Sequence, residues 1–413
     1  MIVLTLILSM FVILFLVSKK VNIGYSLVAG AMLLSILNGR NLNYILNLFI
    51  RTLSESTTIS LALTIAFITV LGYLMEKYLI LDRMIIALEK MLGSAKATIL
   101  IAPAIIGTLL VTGGALMSCP IVEKLGNKLD IPKDKRAAIN LIFRHGLYFF
   151  FPLSPTIILA AELGKYNIWD FVKLQLPIAL VMYILGYIFY LRDCKEIKPQ
   201  KIGAGQYIKT IGAFLLYSSP ILVSLLGVLL FSLPFYISLL VGILISILIN
   251  IYDRKRDSKY DINENILKTI YHGIKPSMII AIIGIMVFKN ALGDTEEIYI
   301  FLRSLLDRGL PLEILILISC AMISFSMAST QPGIAILYPM ILPLAPNYHT
   351  MVLYGMFIYT SAFTFYYVSP LHMCQVLTLE YFEVRLKDLY RNYMYVLPLT
   401  YSVMVIIYII NIW

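Results

Sequence analysis

Eight stretches of the chain, at about 2–18, 21–38, 57–78, 168–191, 208–230, 232–252, 275–292 and 391–413, are nearly unbroken apolar runs. Each is about 17–25 residues long, the length an α-helix needs to cross about 30 Å of hydrocarbon. No water-soluble core absorbs so many of them. The composition agrees: 60% of the 413 residues are hydrophobic and 14% charged, against about 45–50% and about 25% in soluble domains. A cytosolic enzyme, a secreted disulfide scaffold and a disordered regulator are thereby excluded. The cysteines, Cys119, Cys194, Cys320 and Cys374, are widely spaced with no CxxC pair, so the spacing suggests neither a zinc site nor a disulfide framework. The formal charge of +10 comes without the interleaved aromatics of a nucleic-acid patch, and a nucleic-acid partner is not expected. Membrane topology has to account for it.

Two further stretches, 134–163 and 348–379, are long enough to cross but carry Ser154-Pro155 and Ser369-Pro370 near their middles. Proline lacks a backbone donor and pushes its predecessor out of helical geometry, so both are expected to be crossing helices broken in mid-membrane. The stretches 97–126 and 311–346 have small, polar, Pro-containing centres, Thr112 to Pro120 and Met327 to Gly333. They are expected to be re-entrant hairpins. The predicted fold is thus all-α and membrane-spanning, with about ten transmembrane helices and two re-entrant hairpins.

The positive-inside rule tests this topology. It puts 25 of the 33 Lys and Arg residues on the side reached after the first crossing, and seven on the other: Arg40, Arg51, Lys165, Lys173, Lys289, Arg303 and Arg308. Arg144 stays within a span. The expected location is the cytoplasmic (inner) cell membrane, with the basic loops in the cytoplasm and both termini outside. Lys19 and Lys20 follow the first apolar run rather than precede it, so that run reads as a retained span and not a signal peptide. Trp169 and Trp413 read as interfacial anchors.

A shift of about 215 residues aligns the two hairpin centres and also superposes Ser154-Pro155 on Ser369-Pro370. The aromatic runs before the breaks match as well, Tyr148 to Phe151 against Phe363 to Tyr366. A short amphipathic segment precedes each hairpin, at 81–93 and 295–308. Two inverted-topology repeats follow, 1–205 and 206–413, each with five crossings and a hairpin; five being odd, the second lies upside down. Such repeats with discontinuous helices point to a secondary transporter with a site where the repeats meet. Non-helical backbone at this depth must be buried in protein or line a wet cavity, and half-helix ends attract ions there.

Arg144 and His145 lie about 12 Å of helix from the cluster Lys133 to Arg136, near the midplane. An intramembrane arginine is a functional-site hypothesis by default, and a small organic anion moved by a cation gradient would be its partner; the alternative is an inorganic-ion antiporter in which Arg144 pairs structurally, with a channel or membrane enzyme behind it. His145 reads equally as a proton relay or a structural residue. Around the breaks gather Asn140, Thr112, Gly113, Gly114, Ser118, Ser154, Pro155 and Thr156 from one half, and Ser329, Thr330, Gln331, Ser369, Pro370, His372 and Gln375 from the other. Polar groups like these orient a ligand in an apolar pocket, or else cap half-helices. Glu55, Glu76, Glu123, Glu162 and Glu380 fall near predicted ends or bends, with no carboxylate pair. Sodium on hairpin carbonyls and a proton through His145 or Glu162 both stay open as the coupling ion; no other cofactor is expected. There is no HExxH, GxSxG or Walker loop, and an enzyme is not expected.

The segment Pro103 to Ala115, with Asn140-Leu141-Ile142-Phe143-Arg144-His145 and Pro152-Leu153-Ser154-Pro155, resembles the DUF401 family of prokaryotic membrane proteins over nearly the whole chain. That family looks like a branch of the ion transporter superfamily, beside gluconate, citrate, dicarboxylate and TRAP-type permeases. The resemblance implies a homodimer in which outer helices form a scaffold while hairpins and broken helices move as a unit. The second hairpin departs from the pattern, with Met327-Ala328 in place of a Thr-Gly tip.

Overall fold

The computed structural model describes residues 2–19, 21–108, 114–195, 203–256 and 265–412. Thr112 and Gly113 lie outside the described residues, and Gly114 opens a helix. Among the described residues there are α-helices and short helical turns but no strand. The first ten helices are α1 (Ile2–Ser18), α2 (Ile23–Leu37), α3 (Leu42–Ser54), α4 (Ser56–Lys77), α5 (Ile80–Leu92), α6 (Ala95–Gly107), α7 (Gly114–Lys128), α8 (Lys133–Gly146), α9 (Pro155–Gly164) and α10 (Ile168–Tyr190). The next ten are α11 (Ala204–Phe231), α12 (Phe235–Arg256), α13 (Ile266–Gly273), α14 (Pro276–Gly293), α15 (Glu296–Asp307), α16 (Leu312–Cys320), α17 (Thr330–Ile341), α18 (Tyr348–Tyr367), α19 (Met373–Phe382) and α20 (Leu386–Ile412).

The helices α4, α10, α11, α12, α14 and α20 are long and apolar enough to cross a membrane. Their outward residues are apolar too: Leu230 is 62% exposed, Leu248 63% and Ile410 71%. Water would reject such a surface, whereas lipid accepts it, and the chain is a multi-pass membrane protein. The first two apolar runs come out shorter than a standard span, as α1 with 17 residues and α2 with 15, or about 26 and 22 Å of helix. Local chemistry ends them. The Asn22 side chain accepts from the Gly24 N–H and starts α2, and Gly39 at φ 73° closes the turn behind Asn38. The amphipathic α5 and α15 fall where the sequence put them, whereas α3 and α13, both one-sided in their apolar residues, have no counterpart in the sequence reading.

Both interrupted helices break where expected. α8 ends at Gly146, a tight turn spans Leu147–Phe149, and α9 starts at Pro155. α18 ends at Tyr367 and α19 begins at Met373, with His372 as its N-cap. The hairpin segments are pairs of short helices packed together, α6 with α7 and α16 with α17. After α16 the chain widens into a π-helical turn, Ala321–Phe325, and breaks at Ala328 and Ser329.

The two sets of ten correspond in order and in partners. α2 packs on α14 as α12 does on α4; α3 on α14 as α13 on α4; α5 on α11 as α15 on α1. Deeper in, α7 packs on α19 as α17 does on α9, and α8 on α20 as α18 on α10. Even the ends match: α9 and α19 both have ten residues and both finish on a left-handed non-glycine, Lys165 at φ 51° and Glu383 at φ 55°. Packing thus sorts the helices into two groups that cut across the sequence halves. One comprises α1–α5 with α11–α15; the other, α6–α10 with α16–α20. They meet through α5 on α6, α4 on α9 and α14 on α17.

Candidate functional site

The breaks and hairpins all fall in the second group, in two clusters. The first is built on α8. Ten consecutive residues from Ala137 to Gly146 are buried, so this stretch of the helix has no solvent face, and its polar side chains must find partners inside. Asn140 does so with its amide nitrogen, which donates to the Thr378 hydroxyl (3.0 Å), the Ala115 carbonyl (3.2 Å) and the Cys119 sulfur (3.3 Å). One side chain therefore holds α8, the second arm of the first hairpin and the far half of the second broken helix. Its Oδ1 is buried without a hydrogen-bond partner, as is Oε1 of Gln375, whose amide nitrogen donates to the Ser369 carbonyl at 3.2 Å. Ser118 donates to Ala115 within its own helix at 3.1 Å.

One turn along α8, Arg144 is 3% exposed. Gly107, the last residue of α6, lies against it so closely that a Cβ there would sit 2.5 Å from the Arg144 carbonyl oxygen and 3.1 Å from its Cγ. The backbone and the first part of the Arg144 side chain are thereby packed against the end of α6. The guanidinium is within hydrogen-bonding reach of the Tyr148 hydroxyl and acts electrostatically on His145, Tyr366 and His372. His145 is fully buried and faces across the halves: its ring centroid is 4.9 Å from that of His372, edge to face. The Tyr366 hydroxyl lies 2.7 Å from His372 Nε2 and 3.4 Å from His145 Nε2.

The second cluster lies where α17 packs on α9 and α18. Ser329 and Ser154 are the N-caps of α17 and α9, neither with a side-chain cap bond. Ser154 and Thr330 are buried; Thr156 and Gln331 are half-buried. Gly333 lets the arms of the second hairpin close, since a Cβ there would meet Ser324 Oγ at 2.5 Å; that hydroxyl is buried without a partner. Arg144 and His145 therefore share a cluster with Asn140, Ser118, Ser369 and His372, while Ser329, Thr330, Gln331, Ser154, Pro155 and Thr156 sit with the second hairpin. Pro370 is exposed, unlike its counterpart Pro155. Beside it Leu371 is 65% and Met373 64% exposed, so this non-helical stretch has an open side. Gly107, Tyr148, Tyr366, Cys374 and Thr378 are not among the site residues expected from the sequence, because such a residue in an apolar run looks like packing until its partner across the fold is known.

Where the two packing groups meet there is a cavity of about 780 Å³, bordered by Arg51, Glu55, Lys165, Lys289, Asn290 and Asp294 among others. Arg51 pairs with Asp294 at 2.8 Å, and Lys289 with Glu55 at 3.6 Å. Asn290 donates to Thr52 at 2.9 Å and Glu55 at 3.2 Å. Tyr44 donates to Asp294 at 2.6 Å, and burial together with that carboxylate pushes its hydroxyl up to about 12. Three cations face two carboxylates, a net positive mouth.

Short paired helices, two broken helices and matched sets of ten define a class: a helical membrane fold whose irregular backbone is collected in one of two packed groups. The crystal structure of the Alcanivorax borkumensis YdaH transporter, described as revealing an unusual topology, has a similar fold, with a TM-score of 0.62 over 89% of this chain and 88% of that one at 13% identity. The chain itself belongs to the family described as protein of unknown function (DUF401), whose model matches residues 1–411. No curated protein matches it in sequence.

Proposed function

We propose that the protein is a secondary active transporter of a small organic anion, driven by a cation gradient, with Arg144 as the principal anion contact and no enzymatic activity. The observation that carries this reading is the burial of Arg144 between the first hairpin and the second broken helix. A permanent positive charge buried among the breaks favours an anionic ligand, and a carboxylate-bearing one fits it. The matched partners of the two sets of ten helices support an inverted repeat, with hairpins re-entering from opposite faces and the two groups acting as a scaffold and a moving unit in elevator-type alternating access. The fold shared with a protein described as a transporter is an analogy in the same direction. Buried acceptor oxygens without partners, Asn140 Oδ1 and Gln375 Oε1, are what a bound cation would satisfy; both Na+ and H+ are carried forward as coupling ions. On this reading the net positive cavity faces outside with both termini, the protein sits in the cytoplasmic membrane as a homodimer, and its place is in the ion transporter superfamily.

A thermal-shift screen of purified protein against carboxylates, oxyanions and amino acids, with sodium and pH varied, identifies the ligand, because whatever binds the folded state raises its melting temperature. Counterflow in proteoliposomes then follows. Arg144→Ala is expected to weaken the anion by about 2–5 kcal/mol; unchanged affinity and counterflow in that variant would remove the arginine from the site. Unsaturable flux would make the protein a channel.

A further inference from the structure

His145 and His372 come from different halves of the chain, yet they present their imidazoles to one point. His145 Nδ1 lies 2.8 Å from the Leu141 carbonyl oxygen, and His372 Nδ1 lies 3.4 Å from that of Tyr367. A carbonyl only accepts, so each Nδ1 carries the hydrogen and each Nε2 offers a lone pair. Both lone pairs face the Tyr366 hydroxyl, which has a single proton and can satisfy one of them. The Cys374 sulfur is the third member: a ring nitrogen of each histidine and the thiol all lie within 4.8 Å of one another. Histidines held by backbone carbonyls through the nitrogen away from the centre are what metal sites use to orient their ligands.

We propose that His145, His372 and Cys374 form a binding site for a thiophilic divalent metal ion of the zinc type, with the Tyr366 oxygen or a water as fourth ligand. Bonds of about 2.0–2.3 Å to nitrogen and sulfur put tetrahedral ligands about 3.3–3.7 Å apart, so the side chains have to close by roughly 1 Å. That is within the reach of a rotation at Cys374, which is only partly buried. Binding converts the thiol to a thiolate and releases one proton to solvent, so affinity falls as pH falls. With one thiolate the loaded site keeps a net charge of +1 beside Arg144, so replacing that arginine by a neutral residue should tighten metal binding. An ion here would tie α8 to the start of α19. None of this depends on the transport reading, since the site is tested by binding alone.

The test uses the full-length protein in detergent with its purification tag removed, titrated with Co2+ and then Zn2+. The expected result is one ion per chain, a tetrahedral cobalt spectrum with a thiolate-to-cobalt band in the near ultraviolet, and displacement by Zn2+. Cys374→Ser should abolish that band while leaving the metal-free melting temperature unchanged. His372→Gln removes a ligand and should weaken binding by more than the roughly hundredfold upper range for losing an outer-shell partner. Should the histidine variant fail to fold, the loss of the band in Cys374→Ser still carries the assignment. Absence of stoichiometric binding, or a thiolate band that survives Cys374→Ser and disappears with Cys119→Ser or Cys194→Ser, would overturn it.

Discussion

Asn140 shares the two hydrogens of one amide nitrogen among three acceptors, and the residues that carry them are all buried. Asn140→Ala should therefore cost about 1–3 kcal/mol, the price of leaving buried groups unsatisfied. A detergent melting temperature equal to that of wild type would show that the knot is not under tension. Ala328 presents the opposite case. It sits at φ 46°, in the left-handed region where a Cβ crowds the following carbonyl, at the position where a Thr-Gly tip was the expectation. Ala328→Gly should raise stability by up to about 1 kcal/mol, read as a higher melting temperature; a lower one would mean that the methyl group packs well enough to outweigh the backbone strain.

Proline proved an unequal guide at the level of helices. Pro177, Pro220 and Pro398 sit inside intact helices, whereas the chain breaks at Ser154-Pro155 and Ser369-Pro370. The difference is what precedes them: a tight turn after Gly146 in one case and the non-helical stretch from Val368 in the other, both held by tertiary bonds such as Tyr359 Oη to the Tyr148 carbonyl (2.5 Å) and Tyr390 Oη to that of Val368 (2.6 Å). The breaks are read from the Ser-Pro pairs, and the shared 215-residue offset is what sets those pairs apart from the prolines inside intact helices. Glycine is the more exacting residue between α2 and α14. A Cβ on Gly24 would sit 2.1 Å from the Ile280 carbonyl oxygen, and one on Gly284 2.2 Å from that of Gly24, so the helices touch backbone to backbone. Gly24→Leu or Gly284→Leu should force them apart and destabilise the α1–α5/α11–α15 group by about 1–3 kcal/mol or more, while Gly212→Leu, which faces open space, should be neutral. Equal effects at all three positions would contradict close contact.

Between the two packing groups, the charged cavity makes stability depend on pH. Burial alone would raise the Glu55 carboxyl, but the Asn290 amide and the Lys289 charge outweigh it and hold it below the usual carboxylate range. A depressed carboxylate contributes stability that is complete above its unfolded value, about pH 4.3, and is lost as pH falls through the lower folded value. The melting temperature should therefore stay level from neutrality down to about pH 5 and decline below it, with a shallower decline in Glu55→Gln. A Glu55→Gln curve parallel to wild type would show that the ion pair contributes nothing.

Periodicity, run length and the 215-residue offset by themselves determined that the chain is a helical membrane protein, where its helices break, and that α5 and α15 precede the paired short helices. They could do so because crossing hydrocarbon requires long apolar segments, and departures from that rule stand out along a linear sequence. The partners across the fold were decided only by tertiary structure. His145 meets His372 and Cys374 more than two hundred residues away, and Asn140 meets Thr378. Spacing carries no such information, because these contacts depend on how two sets of helices interlock and which face each buries. The same holds for which polar residues gather on α8 with α19 and which on α17 with α9, a distinction absent from a common list of polar residues near breaks.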